Sequence, residues 1–328
     1  MNSETPSPPL RGRLAPSPTG ALHLGNARTF LLTWLSIRSR KGSLIYRLED
    51  LDHPKIKSGA AQQAEDDLVW MGLDWDEGPG CEGALAPYEQ SERTGDYRRA
   101  LDELSRQNLL YPCVCSRKDV ENAQSAPHAN EYGMRYEGTC RGVFESFAAA
   151  QARIGEGRMP VWRFKSPEGR STRFVDGVYG EQVLSVADDV GDFVIARHPD
   201  GAGYMLAVVV DDGAMGVTEV MRGEDLLPAT HRQILLAEAL GLPLPTYIHT
   251  PLMVGPDGRR LAKRHGDTRV ASLREQGLAP EQLVGYLAWT LGWGAREQRL
   301  MPADLLDRYD PESIPVESFV CLPENLPI

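Results

Sequence analysis

The 328-residue sequence predicts an α/β fold: a parallel sheet with flanking helices, broken by an α+β insertion and closed by a small helical C-terminal domain. Three observations predict it. Residues 11–52 read as strand, turn, helix and strand, a unit that favours parallel pairing. Residues 111–203 lose that regularity and carry cysteines, glycines and short extended runs. Beyond residue 257 the pattern is mainly helical.

Each element has a local reason. Residues 1–10 are polar and proline-rich, and are read as a disordered tail. Met1–Pro9 has neither the basic start nor the apolar core of a signal peptide. Arg13-Leu14-Ala15 is a short extended run that Pro16-Ser17-Pro18-Thr19-Gly20 breaks. Phe30, Leu31, Trp34, Leu35 and Ile37 then recur at helical spacing, and Ser43 to Leu48 is strand-like. Helices are expected at 60–71 and at 94–107, the latter with Tyr97, Leu101 and Leu104 on one face, completing a first half-domain over 11–110. Within the insertion, 111–203, Val161 to Phe164 is strand-like. Tyr204 to Val210, ending at Asp211-Asp212, reads as a buried parallel strand opening the second half-domain, 204–256. A helix over 229–240 closes at Gly241 and Pro243. Gly255-Pro256-Asp257-Gly258 forms a turn into the last segment, 257–328, which is helical over 280–292.

Composition bounds the function. The 35 basic and 46 acidic residues give a net charge of −11, against indiscriminate coating of nucleic acid but compatible with a tRNA enzyme bearing one basic face. With 41% hydrophobic and 25% charged residues, the chain is no disordered segment, coiled coil or collagen. No run reaches the roughly 18 apolar residues of a membrane helix. Five cysteines are too few, and odd in number, for a disulfide framework, which predicts a reduced, cytoplasmic protein.

Two segments carry phosphate chemistry. In Pro16-Ser17-Pro18-Thr19-Gly20-Ala21-Leu22-His23-Leu24-Gly25-Asn26, a turn ahead of a helix N-terminus aims backbone N–H groups at an anion. His23 can donate to phosphate oxygens, and Gly25 admits the nucleotide close to the backbone. A lone histidine at such a turn is more often a cap, and neither a dinucleotide fingerprint nor a P-loop is present. In Arg259-Arg260-Leu261-Ala262-Lys263-Arg264-His265-Gly266, four cations within six positions could clamp a polyphosphate, although an isolated basic run is usually a solvated loop. The two segments together outweigh either bland reading. A third cluster, Cys113-x-Cys115 with Cys140 further on, suits tetrahedral zinc if a fourth ligand exists, and three reduced thiols without metal if not. On ligand type alone His128 is a candidate; Cys81 and Cys321 are taken as structural.

These segments resemble the two signature motifs of class I aminoacyl-tRNA synthetases. Arg13 to Gly20, Arg47-Leu48-Glu49-Asp50-Leu51-Asp52, Gly72-Leu73-Asp74-Trp75-Asp76-Glu77-Gly78 and Arg222-Gly223-Glu224-Asp225-Leu226 resemble the glutamyl-tRNA synthetase branch. The similarity runs from about residue 11 to 294. It implies a Rossmann-like catalytic domain and an enzyme that takes ATP with Mg2+ and L-glutamate. By the resemblance, Arg13 and Arg222 hold carboxylates, Glu49 the ammonium, and Ala15, Ser17 and Tyr204 complete the glutamate pocket. His23, Gly25, Asn26 and Lys263 bind ATP, with His23, Gly25 and Lys263 catalytic. Without the resemblance, Arg47–Glu49 and Arg222–Glu224 would read as local ion pairs.

The sequence departs from the family pattern in three places. The first motif ends in Asn26 rather than a second histidine. In the second, Arg260 and Ala262 replace a lysine and a serine, while Lys263 is kept. Ordinary bacterial relatives place a histidine ligand two positions after the last cysteine, where this chain has Gly142. Shorter relatives use a tyrosine four positions before it, where Tyr136 stands, so the implied ligands of one structural Zn2+ are Cys113, Cys115, Tyr136 and Cys140.

Only about 34 residues follow residue 294, too few for an anticodon-binding domain. This resembles the short branch of the family, which activates glutamate without tRNA and passes it to queuosine at the wobble position of tRNA(Asp). It implies a cytoplasmic monomer with no membrane partner. Two alternatives stand beside it. His265-Gly266-Asp267 and Val270 to Trp293 resemble the stem-contact region of full-length enzymes, consistent with a shortened glutamyl-tRNA synthetase charging tRNA(Glu). The altered second motif would fit a non-catalytic tRNA- or adenylate-binding paralogue.

Overall fold

The computed structural model describes residues 8–327 apart from 52–55, 82, 124–134, 156–157, 199–200, 260 and 262–266. Strand β1 (Arg11–Leu14), helix α1 (Leu24–Ser39) and strand β2 (Ser43–Tyr46) form the expected unit, with β1 and β2 parallel and Leu14 beside Tyr46. Helix α1 buries Leu24, Ala27, Leu31, Leu35 and Ile37. It lies so close to β1 that a Cβ on Gly12 would stand 2.5 Å from Ile37 Cγ1, so a larger residue there would displace the Ile37 side chain. Helices α2 (Ala60–Trp70) and α3 (Thr94–Arg106) follow.

The next stretch contains β3 (Leu110–Cys113), α4 (Arg117–Ala123), α5 (Phe147–Ile154), β4 (Val161–Phe164), β5 (Ser171–Asp176), β6 (Gly180–Ser185), α6 (Val186–Asp189), β7 (Phe193–His198) and β8 (Gly201–Ala202). Strands β3, β4, β7 and β8 make an antiparallel sheet in that order. The β5–β6 hairpin lies outside that sheet and joins the catalytic one. Helix α7 (Tyr204–Ala214), β9 (Glu219–Gly223), α8 (Leu227–Ala239) and β10 (Thr246–Thr250) complete the core. There β10 pairs in parallel with β9 on one side and β5 on the other. The β1–β2 pair abuts β9, where Thr218 N donates to Arg11 O at 2.9 Å.

One expectation fails here: Tyr204 to Val210 is the start of α7, not a strand. The run is apolar on every side because all sides are covered, Leu206 to Val210 being buried. A short continuous apolar run carries no period that separates helix from strand.

The last segment begins with β11 (Met253–Val254), α9 (Val270–Glu275) and α10 (Pro280–Trp289). It then runs through short 3-10 turns at Pro302–Arg308 and Pro311–Ser313 to β12 (Phe319–Val320), which pairs with β11. The segment is therefore less helical than its sequence pattern predicts. It shares a core with the N-terminal unit, with Leu31, Leu35 and Leu44 packing with Val270, Leu273, Leu283 and Leu287. A second core gathers Tyr97, Leu101 and Leu104 of α3 with Leu206 and Val210 of α7 and Leu235 of α8. Among the described residues no helix is long and apolar enough to cross a membrane.

Candidate active site and metal centre

A cleft of about 460 Å3 opens where β1, β2, β9 and β10 end and α1 begins, the usual ligand position in parallel α/β sheets. Its lining includes Arg13, Ala15, Ser17, His23, Gly25, Asn26, Glu49, Tyr204 and Arg222. Nine residues singled out in the sequence thus meet in one cavity. Lys263, with Arg260 and Ala262, lies outside the described residues.

One wall is a buried charge cluster. Arg47, wholly buried, donates Nη1 to Asp212 Oδ1 at 2.7 Å and Nη2 to Glu49 Oε1 at 3.1 Å. Burial opposes the Arg47 charge, but Asp212, Glu49 and Asp211 more than offset this and its pKa rises. Burial pushes the Glu49 carboxyl up, and Arg47 and Arg13 pull back part of that rise. Arg13 donates Nη1 to Met221 O at 3.0 Å, and its Nε lies 3.6 Å from Asp212 Oδ1. Asp211 is separately held by Arg93 Nε at 2.6 Å, Gln90 Nε2 at 2.8 Å and the Tyr97 hydroxyl at 2.8 Å.

The local ion pair expected of Arg47 and Glu49 is present; that of Arg222 and Glu224 is not. Arg222 donates Nε to His249 Nε2 at 3.1 Å and Nη2 to Thr230 Oγ1 at 2.7 Å. Its Nη1 is buried without a hydrogen-bond partner among the described residues. Glu224 instead accepts from Leu252 N and Ser318 Oγ, both at 2.8 Å, and from the Tyr179 hydroxyl.

His23, also in the lining, caps α1 from an extended conformation, its Nδ1 accepting from Asn26 N at 3.4 Å. An accepting Nδ1 leaves the proton of the neutral ring on Nε2, as a donor. A Cβ on Gly25 would lie 3.2 Å from His23 Cε1 and 3.3 Å from its Nδ1, so glycine lets the ring sit flat against the helix start. Backbone bonds join the two motifs: Leu24 N donates to Thr268 O and Val270 N to Leu22 O, each at 2.9 Å. Leu261 N bonds Met253 O at 3.3 Å, so both flanks of the Lys263 segment are tied to the cleft wall.

The cysteine cluster lies in the insertion. The sulfurs of Cys113, Cys115 and Cys140 fall within 4.8 Å of one another. The Tyr136 hydroxyl stands 3.2 Å from Cys113 Sγ and 3.5 Å from Cys115 Sγ, and Cys115 and Cys140 sulfurs are 3.6 Å apart. A zinc about 2.3 Å from sulfur and about 2.1 Å from oxygen sets tetrahedral ligand atoms about 3.6–3.8 Å apart. The four residues therefore fit the metal. Gly142 adopts φ +67°, in the left-handed region, with nothing within 4 Å of a Cβ there. His128 lies outside the described residues. Cys321 is buried 3.5 Å from the Tyr286 hydroxyl, whereas Cys81 is exposed.

Sequence reasoning missed Asp176, Thr230, Asp212 and His249 as parts of this site. None sits in a motif, and each reaches the cleft residues only through the fold.

The family model for the catalytic domain of class I tRNA synthetases (E and Q) matches residues 9–314. The chain belongs to that family, and is a ligase of the aminoacyl-tRNA synthetase type. Within the family it is 47% identical, over 94% of both chains, to the glutamyl-Q tRNA(Asp) synthetase of Symbiobacterium thermophilum. It is 44% identical to that of Nitratidesulfovibrio vulgaris over 86% of each chain. Glutamate–tRNA ligase 2 of Alkalilimnicola ehrlichii is also 44% identical, but the match covers 85% of this chain and 58% of that one. Among solved structures, the glutamate-tRNA synthetase of Elizabethkingia anophelis superposes with a TM-score of 0.80 at 28% identity, over 97% of this chain and 69% of that chain.

Proposed function

We propose that the protein activates L-glutamate with ATP, without tRNA, and transfers it from glutamyl-adenylate to queuosine at the wobble position of tRNA(Asp). The observation that carries this reading is that one cleft of about 460 Å3 is lined both by Arg13, Arg222 and Glu49 and by the capped start of α1. Arg13 and Arg222 take the substrate carboxylates, the partnerless Nη1 of Arg222 being a charge-assisted donor. Glu49, three residues beyond β2, takes the ammonium, which restores the charge that burial disfavours. Ala15, Ser17 and the Tyr204 hydroxyl close the pocket. The end-to-end similarity to two glutamyl-Q tRNA(Asp) synthetases favours the queuosine acceptor.

ATP enters as its magnesium complex. The glutamate carboxylate oxygen attacks the α-phosphate, and pyrophosphate departs. The N-terminus of α1, His23 Nε2–H and Lys263 stabilise the charge on the departing group, and Gly25 and Asn26 keep the nucleotide close to the backbone. A queuosine hydroxyl then displaces AMP from the acyl carbon. Cys113, Cys115, Tyr136 and Cys140 would hold one structural Zn2+ that cross-links the insertion and takes no part in the reaction.

The test offers labelled glutamate, ATP and magnesium with queuosine-containing tRNA(Asp), unmodified tRNA(Asp) or tRNA(Glu). Pyrophosphate exchange without tRNA, and label on the queuosine tRNA alone, are expected. Label on tRNA(Glu) would mean a shortened glutamyl-tRNA synthetase. Neither exchange nor label would mean a binding paralogue.

A further inference from the structure

Behind Arg222 stands a buried chain of polar groups that the reaction scheme does not use. His249, on β10, lies beside Arg222 in the parallel pairing with β9. Its Nε2 is 3.1 Å from Arg222 Nε, and its Nδ1 is 2.6 Å from Asp176 Oδ2 on β5. His249 and Asp176 are almost wholly buried, at 0% and 2% exposure. We propose that Asp176 and His249 are positioning residues for the carboxylate-binding arginine: Asp176 holds His249 as the Nδ1–H tautomer, and the Nε2 lone pair fixes the Arg222 guanidinium with Nη1 left for substrate. This rests on the glutamate reading of the cleft and names residues that act only through Arg222.

The donor roles of Arg222 set the tautomer, and Thr230 Oγ1, 3.1 Å from the same Nε2 and already accepting from Arg222 Nη2, can turn its own proton to that nitrogen. A guanidinium has only N–H groups, so His249 Nε2 must accept, and its proton must sit on Nδ1. Asp176 supplies the acceptor for that proton, and is itself fixed by N–H bonds from Val178 and Tyr179 at 3.0 Å and from His249 N at 3.1 Å. Thr230 Oγ1 accepts the Nη2 bond, and two of the three guanidinium nitrogens are then held by the protein. A doubly protonated His249 would set a cation against Arg222. Burial, with Arg222 and Arg13 nearby, favours the neutral ring over the opposing pull of Asp176. The other groups around it are His231 on α8, itself disfavoured as a cation by burial and by His249, and the rings of Phe174 and Tyr247, 6.4 and 6.3 Å away. Since β5 belongs to the hairpin that leaves the insertion, the insertion contributes a carboxylate that orients the substrate-binding arginine.

Asp176→Asn keeps the size but exchanges an acceptor for an amide. An amide donating to Nδ1 favours the Nε2–H tautomer, which sets N–H against N–H at Arg222. Pyrophosphate exchange is expected to show the KM for glutamate raised about 10-fold or more, with the KM for ATP within about 2-fold of wild type. His249→Phe, which keeps an aromatic ring among aromatic neighbours but lacks the Nε2 acceptor, should show the same split. Histidine 15N shifts should report Nδ1–H in the wild type and Nε2–H in D176N, a change that a merely structural contact does not predict. A wild-type His249 protonated on Nε2, or variants with unchanged glutamate KM, would overturn the proposal. A wild type with no exchange at all would overturn the glutamate reading instead, and the tautomer would still decide how the pair is set.

Discussion

Arg47→Met tests the charge cluster beneath the cleft. Met matches the aliphatic length of Arg47, which already runs past Met215 with Nη1 3.9 Å from its sulfur. The substitution deletes two charge-assisted bonds, at 2.7 Å to Asp212 and 3.1 Å to Glu49, while Asp211 keeps Arg93, Gln90 and Tyr97. At about 1.5–3 kcal/mol each the loss is about 3–6 kcal/mol, in line with about 3–5 kcal/mol for removing one partner of a buried ion pair. An unfolding entropy of about 2.1 cal/mol/K per residue over 328 residues makes about 4 kcal/mol equivalent to a fall of about 6 °C in Tm. Calorimetry of both proteins measures it.

Two further arms sharpen this test. Adding Asp212→Asn to Arg47→Met should return about half of the loss, because one of the two stranded carboxylates is then neutral. The loss should also depend on pH. Burial already raises the Glu49 pKa, and losing Arg47 removes the largest opposing influence. A carboxyl with a raised folded pKa binds more protons folded than unfolded, so the variant loses stability as pH rises through that pKa. The gap between variant and wild type should therefore be wider at pH 7.5 than at pH 5. A fall in Tm below about 1.5 °C, or a gap that widens toward acid, would refute the view that Arg47 neutralises a buried cluster.

Three other outcomes follow from contacts in the cleft and the insertion. Gly25→Ala adds a methyl 3.2 Å from His23 Cε1 and should lower kcat/KM for ATP by about 10–100-fold in pyrophosphate exchange. Its Tm should hold, since alanine is a better helix former than glycine and the position lies in the first turn of α1. Tyr136→Phe removes the oxygen 3.2 Å from Cys113 Sγ and should weaken zinc at least about 10-fold in competition with a chelator; equal affinity would assign the fourth ligand elsewhere. Gly191→Ala should destabilise the insertion, because Gly191 sits at φ +76° and its Cβ would fall 2.1 Å from Tyr136 O; an unchanged Tm would contradict that contact.

The legible parts of the fold were those with local causes. The β1–α1–β2 unit follows from an apolar period between a proline-rich breaker and a tight turn, and helix α1 begins one residue after the histidine that caps it. Helix α7 was misread because burial on all sides erases the period, and valine-rich composition then imitates a strand. Most of the cleft residues were legible because the motif segments place them at strand ends or at the start of α1, whereas Tyr204 opens α7. His249 was not: its partner Asp176 is 73 residues away, and Asp212 lies 165 residues from Arg47. Such pairings are set by strand order and by where α7 packs, which no local pattern records. The Arg222–Glu224 pairing failed for a related reason. Adjacent positions along β9 and the turn after it diverge, and the strand neighbour outcompetes the sequence neighbour.

That same dependence on strand order explains why the last residues of the chain belong to the active-site scaffold. The sequence alone presents residues 294–328 as a remnant beyond the catalytic region. In the fold, β12 pairs with β11, with Phe319 N donating to Leu252 O at 2.9 Å and Cys321 N to Val254 O at 2.8 Å. Leu252 and Met253 line the cleft. Glu224, two residues after Arg222, holds Leu252 N and Ser318 Oγ with one carboxylate oxygen, so a single side chain links the end of β9, the cleft wall and the C-terminal segment. Arg28 adds a second tie from α1, donating Nη2 to Pro251 O at 2.6 Å. The stretch 250–254 is thereby fixed from three sides just before the Lys263 segment departs from it. The C-terminal segment, α1 and the turn after β9 therefore act together on one wall of the cleft, and the loss of any one of these ties loosens the stretch that carries Leu252 and Met253.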